Sequence, residues 1–176
     1  MGDVMNTIIL LNILDSDMFI SYRKEDAVNY ERILIHYRSG DTDHFDIDWH
    51  CFPDHIMMEG IASLKWKNQE YTSVFDLSVP VPDGLYEIID SYGLEYCDDV
   101  LPGNNGDQFS VRIRTDEYSK NISGSVLNIP TEQIVMKVAS LSPDKFQAVA
   151  WRVFGLRDED IPQYPLTEKH SVVCEH

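Results

Sequence analysis

The chain has 176 residues, 43% hydrophobic and 25% charged, an ordinary globular mixture that excludes disorder and collagen-like repetition. Thirty acids stand against fourteen Lys and Arg, for a formal net charge of −16, and so anionic a surface repels nucleic acid and anionic membranes. The longest apolar run near the start, Ile8 to Leu11 resumed by Ile13 and Leu14, is far short of the ~20 apolar residues of a membrane-spanning helix.

Residues 7–14 are expected to form a buried strand or short helix. The stretch before them holds Asp3 and no Lys or Arg, and Asp15 and Asp17 follow, which is not the pattern of a secretory signal. Met18 to Arg23 has strand chemistry. Ile33, Ile35 and Tyr37 alternate with Leu34, His36 and Arg38, and Ser39-Gly40-Asp41 supplies a turn. From His44 to Cys51 the alternation is strict: Phe45, Ile47, Trp49 and Cys51 share one face, His44, Asp46, Asp48 and His50 the other. These two stretches predict a hairpin, apolar toward the core and polar outside. A second hairpin is predicted from 58–66 and 70–79 around a turn at Lys67-Asn68-Gln69, with Pro80 and Pro82 ending its ladder.

Pro82 and Asp83 suit the first turn of a helix whose apolar stripe is Leu85, Ile88, Ile89 and Tyr92, with Gly93 as its stop. Asp98 to Asp107 reads as a loop. Phe109, Val111 and Ile113 alternate in a further strand, with Ser125 to Ile129 as its expected partner. Thr131 to Ala139 fits either a helix or a strand. Ser142-Pro143-Asp144 predicts a helix start, with the Ser142 hydroxyl as cap and Phe146, Val149, Ala150 and Val153 as its buried stripe. The polar stretch 157–176 is expected to be an extended tail. The reading is a single α+β domain over 1–176: an antiparallel sheet of hairpins with two to three helices packed on one face.

Three cysteines, Cys51, Cys97 and Cys174, make an odd count with no CxxC pair, which predicts a reducing, cytoplasmic setting. Cys51 falls on an apolar strand face as a small buried hydrophobe, and Cys97, among Glu95, Asp98 and Asp99, reads as unreactive. Asn121-Ile122-Ser123 matches a glycosylation acceptor only as a coincidence in a surface turn. Gly103-Asn104-Asn105-Gly106 lacks a following lysine and is flanked by acids, so it is no phosphate loop. There is no serine-hydrolase elbow.

The acidity is concentrated. Between Arg38 and Arg112 there are fifteen acids and two lysines, a net of −13. Like charges so close repel one another and destabilise the compact state, which a cationic partner would offset. Asp83, Glu87 and Asp90 are placed on the polar face of the predicted helix, and Asp98 and Asp99 follow it. Tyr86, Tyr96 and Tyr118 are the expected exposed aromatics, of which Tyr86 and Tyr96 would anchor an interface beside the acids. Arg112 and Arg114, on one strand face, are expected to neutralise nearby acids.

The function expected on these grounds is an acidic cytoplasmic inhibitor of a basic protein partner, most specifically an immunity protein blocking a nuclease-type toxin. Asp83, Tyr86, Glu87, Asp90, Tyr96, Asp98 and Asp99 are its partner-binding residues; it is not an enzyme, and it makes no direct contact with nucleic acid or membrane. The alternative is a metal-dependent hydrolase or metalloprotein in which His44, Asp46, Asp48 and His50 hold a divalent ion such as zinc, manganese or iron. A phage-type inhibitor of a host nucleic-acid enzyme and a non-catalytic adaptor share the same composition.

Overall fold

The computed structural model describes residues 7–12, 17–22, 28–103, 106–161, 164–166 and 171–175. Two short strands, β1 (Thr7–Asn12) and β2 (Asp17–Tyr22), pair as an antiparallel hairpin. The main sheet comprises β3 (Tyr30–Ser39), β4 (Asp43–Cys51), β5 (His55–Trp66), β6 (Gln69–Pro80), β7 (Gln108–Thr115), β8 (Ser119–Gly124) and β9 (Ser171–Glu175). Its order is β8-β7-β3-β4-β5-β6-β9. The first six strands run antiparallel, and β9 joins β6 in parallel. Among the described residues three helices complete the fold: α1 (Leu85–Ser91), α2 (Ile129–Ser140) and α3 (Asp144–Val153).

Strand alternation decides which side chains the helices cover. Ile33, Ile35, Phe45, Ile47, Trp49, Ile56, Met58, Ala62, Phe75, Val111 and Ile122 are all buried on one face, where α1 contributes Leu85 and Ile89, α2 Ile134, Val135 and Val138, and α3 Phe146, Val149 and Ala150. Burying each such large side chain is worth about 1.5–3 kcal/mol, which makes the strand faces unequal and fixes the register. The two hairpins close as the sequence predicts. At the β5–β6 turn Lys67 and Asn68 both take positive φ, 49° and 64°, the two-residue geometry that matches strand twist.

Residues 131–139 are helical. The Asn128 side chain accepts a 3.0 Å hydrogen bond from the Thr131 backbone N–H, and Pro130 sits in the first turn, so cap chemistry outweighs the alternation of Ile134, Met136 and Val138. Several expectations are corrected. The partner of β7 is Ser119–Gly124, not 125–129, because Ser125 and Val126 instead donate their backbone N–H groups to the Pro102 carbonyl. Asn121 to Ser123 accordingly lies in a strand and not in a turn. Ser142 does not cap α3: the residue before the helix is Pro143, and the Ser142 hydroxyl is buried without a hydrogen-bond partner among the described residues. Helix α1 begins at Leu85 after a left-handed Gly84, which leaves Asp83 ahead of the helix, and Ile88 is 42% exposed instead of lying in the stripe. The stretch from 157 is no simple extended tail: Asp158–Asp160 form a 3₁₀ turn and Ser171–Glu175 form β9. Predicted positions 13, 14, 23, 104, 105 and 162 lie outside the described residues.

Candidate functional site

Two regions carry the residues singled out by the sequence: the open face of the sheet, and the stretch from α1 through the loop beside β8 to the start of α2.

On the open face His44, Asp46, Asp48 and His50 do share one side of β4, as alternation requires. Their neighbours, however, divide them. Asp46 pairs with His36 across the β3–β4 ladder, and His44 Nε2 stands 4.0 Å from its other oxygen. Asp48 takes both Nε (2.9 Å) and Nη2 (2.5 Å) of Arg32 in a fork, with His50 Nε2 at 3.8 Å. That carboxylate holds the Arg32 guanidinium above its ordinary pKa. Each carboxylate thus already has a partner from β3. Among the described residues no three His, Cys, Asp or Glu side chains are grouped to hold a metal ion. Asp54 is held below the usual carboxylate range by its 2.7 Å hydrogen bond with His55, but both are exposed at the β4–β5 turn, away from this set.

The partner-binding residues fall into an α1 stretch and a loop stretch. Glu87 is exposed and Asp90 half-buried on α1, and Asp83 is exposed in the turn before it. Tyr86 is no exposed anchor. Its hydroxyl donates to the Phe52 carbonyl at 2.8 Å, its ring stacks on Tyr30 at 5.4 Å, and burial raises its pKa. Tyr118 is likewise half-buried against the core. Tyr96, by contrast, is 79% exposed, on a 3₁₀ turn (Leu94–Tyr96) that follows the left-handed Gly93.

The loop beyond Tyr96 is fixed to the β8 edge. Ser123 donates its backbone N–H to the Asp99 carbonyl (2.9 Å), and Leu101 donates to the Ser123 carbonyl (2.8 Å). The Lys120 ammonium stands 2.9 Å from the Asp99 carboxylate, and Asp98 is exposed beside it. The same loop is tied to α2, because Asn128 Nδ2 donates to Cys97 Sγ at 3.6 Å. Val100 (76%) and Ile129 (72%) are then left as nearly fully exposed apolar side chains. Ile129 also lines a shallow groove of about 480 Å³ with Tyr92, Met136, Glu132 and Trp151.

The fifteen clustered acids therefore do not form one patch. Asp41, Asp43 and Glu70 lie at the hairpin-turn end, Asp46, Asp48, Glu59 and Asp76 on the open face, Asp54 at the β4–β5 turn, and the rest along the chain from just before α1 to the start of β7. Sequence reasoning missed Val100 and Ile129. Val100 carries a signal, an apolar residue directly after two acids and outside any periodic stripe, whereas Ile129, between Asn128 and Pro130, carries none. The expectation for the arginines holds for Arg114, which stands 2.6 Å from Glu31, and not for Arg112, which has no ion pair among the described residues. Comparison with known protein families and with curated proteins returns no match.

Proposed function

We propose that this protein is an acidic binding protein that docks a basic protein partner on the surface running from α1 through Tyr96, Asp98 and Val100 to Ile129. The observation that carries this reading is the exposure of Tyr96 (79%) and Val100 (76%) on either side of Asp98 and Asp99, on a loop hydrogen-bonded to β8. A productive interface has an apolar centre and a polar rim, and a tyrosine anchor loses little conformational entropy on binding. The acidic rim attracts a cation-rich partner over long range and disfavours anionic competitors.

The class of partner that suits a −16 chain is a nucleic-acid-handling protein, whose phosphate-binding surface would be occluded. An immunity protein against a nuclease-type toxin in the cytoplasm is the specific form of this function. The test is capture of a basic partner, followed by titration of the purified pair over a salt series. Asp98→Lys with Glu87→Lys should weaken binding at least about tenfold and flatten its salt dependence. Affinity unchanged by both reversals and by Tyr96→Ala would overturn the assignment.

A further inference from the structure

The open face of the sheet is charged differently from the rest of the molecule. Arg32, Arg38, Lys65, Arg112 and Arg114 stand on it against Asp46, Asp48, Glu59, Glu70 and Asp76. Glu31, in the β3 bulge, also reaches this face to pair with Arg114, so five cations against six acids leave it nearly neutral in a chain of net charge −16. The two signs are also segregated. Four of the five cations are on β3 and β7, and all the acids but Glu31 are on β4, β5 and β6.

One transverse row carries the pattern. The register pairs Arg112 with Leu34, Leu34 with Asp48, Asp48 with Glu59, and Glu59 with Asp76. Arg112 therefore lies two strands to one side of Asp48, and Asp76 two strands to the other. Neither has an ion pair among the described residues. At ~4.8 Å per strand they are about 19 Å apart, too far to meet within one chain. Around the row stand Leu34, Ile61 (39% exposed), Val74 and Met57 (49%). The core on the opposite face takes Leu85 and Ile89 of α1, Ile134, Val135, Val138 and Ala139 of α2, and Phe146, Val149, Ala150, Trp151 and Val153 of α3.

We propose that a second copy of this chain docks on this face, the two sheets meeting about a two-fold axis that runs parallel to the strands over Asp48. That rotation exchanges β7 with β6 and β3 with β5. Arg112 of each copy then meets Asp76 of the other, and the contact occurs twice, as an isologous interface requires. Leu34 meets the depression of about 370 Å³ that opens over Gly60 between Glu59, Ile61 and Val74. Asp48 faces its own image on the axis, where its charge is already balanced by the Arg32 fork. The five strands from β7 to β6 that the axis superposes span about 19 Å, and ten residues about 33 Å, a face of roughly 600 Å² per copy, at the lower end of the range for specific interfaces. The remaining acids lie off this face, and at physiological salt their mutual repulsion is screened beyond about 8 Å.

Sedimentation equilibrium of the full chain at physiological salt tests the assignment. A reversible dimer is expected. Arg112→Glu and Asp76→Arg should each weaken it about tenfold or more, since each breaks both symmetric pairs. The two changes combined in one chain restore opposite charges across the axis and should return the dissociation constant to near the parent value. Both residues are exposed, so an unchanged far-ultraviolet circular dichroism spectrum checks that the variants fold. A chain that stays monomeric up to about 1 mM would overturn the proposal. So would a dimer indifferent to the single reversals, or a double variant no tighter than the singles, both of which would indicate a different occupant for the face.

Discussion

A Cβ placed on Gly60 would lie 2.4 Å from Cε1 of Phe75, its partner directly across the β5–β6 ladder. The aromatic ring occupies the space the glycine leaves and meets Phe146 of α3 edge-on, with centroids 4.7 Å apart. The glycine thus lets a helix-contacting aromatic lie flat on the sheet. Gly60→Ala should destabilise the fold by about 1–3 kcal/mol through overpacking. Urea denaturation measures this, and Phe75→Leu in the same chain should recover part of the loss. An alanine variant as stable as the parent would contradict the packing described.

Tyr86 of α1 and Tyr96 of the turn after it should separate stability from binding. Tyr86→Phe removes the hydroxyl bonded to the Phe52 carbonyl and should cost about 1 kcal/mol, with partner affinity unchanged. Tyr96→Ala should leave the thermal midpoint within a degree or two, while weakening the partner complex about tenfold or more. The opposite pattern would move the interface to the far end of the helix.

The helical assignment of 129–140 rests on Asn128. Its side chain accepts from both the backbone N–H and the hydroxyl of Thr131, at 3.0 and 2.7 Å. Asn128→Ala should lower stability by about 1 kcal/mol, and Asn128→Ser by less. Equal stability of Asn128→Ala and the parent would remove the cap from the account.

Alkaline pH should unfold the protein. Burial pushes the Cys51 thiol from 9.0 up to about 12, and burial likewise raises the Tyr37 and Tyr86 hydroxyls above their ordinary value of 10.0. For these groups the unfolded chain ionises first. The stability they confer is whole below pH 9 and is lost as pH rises from there toward and beyond 12. Denaturation midpoints taken at intervals above pH 8 should fall steadily. Cys51→Ala should make that fall shallower, at the cost of about 1 kcal/mol at neutral pH for the small cavity. A parent curve flat to pH 11 would be inconsistent with buried, neutral side chains at these positions.

Much of the fold is legible because the sheet has one wet face. Phe45, Ile47 and Trp49 can be assigned inward from alternation alone, and the Ser39-Gly40-Asp41 turn places their partner strand beside them. What escapes is whatever depends on distant segments. Ser171 to Glu175 is too short to announce itself, and nothing local tells it to pair with β6. The charge reading fails in the same way. Asp46 and Asp48 look like loose carboxylates until β3 brings His36 and Arg32 alongside, and acids of one charged stretch, such as Asp41 and Asp98, end at different parts of the molecule. Tyr86 and Tyr96 are indistinguishable in sequence. Only the turn at Gly93 sends one outward while the helix folds the other against Tyr30.

The parallel pairing of Ser73 with Ser171 spans 98 positions of chain. Closing so long a loop is slow compared with zipping the neighbouring hairpins. On a ribosome, then, β6 emerges and docks on β5 while its outer flank still has nothing to bond. For that interval the nascent polypeptide exposes a raw hydrogen-bonding edge to its neighbours, and synthesis of β9 closes it.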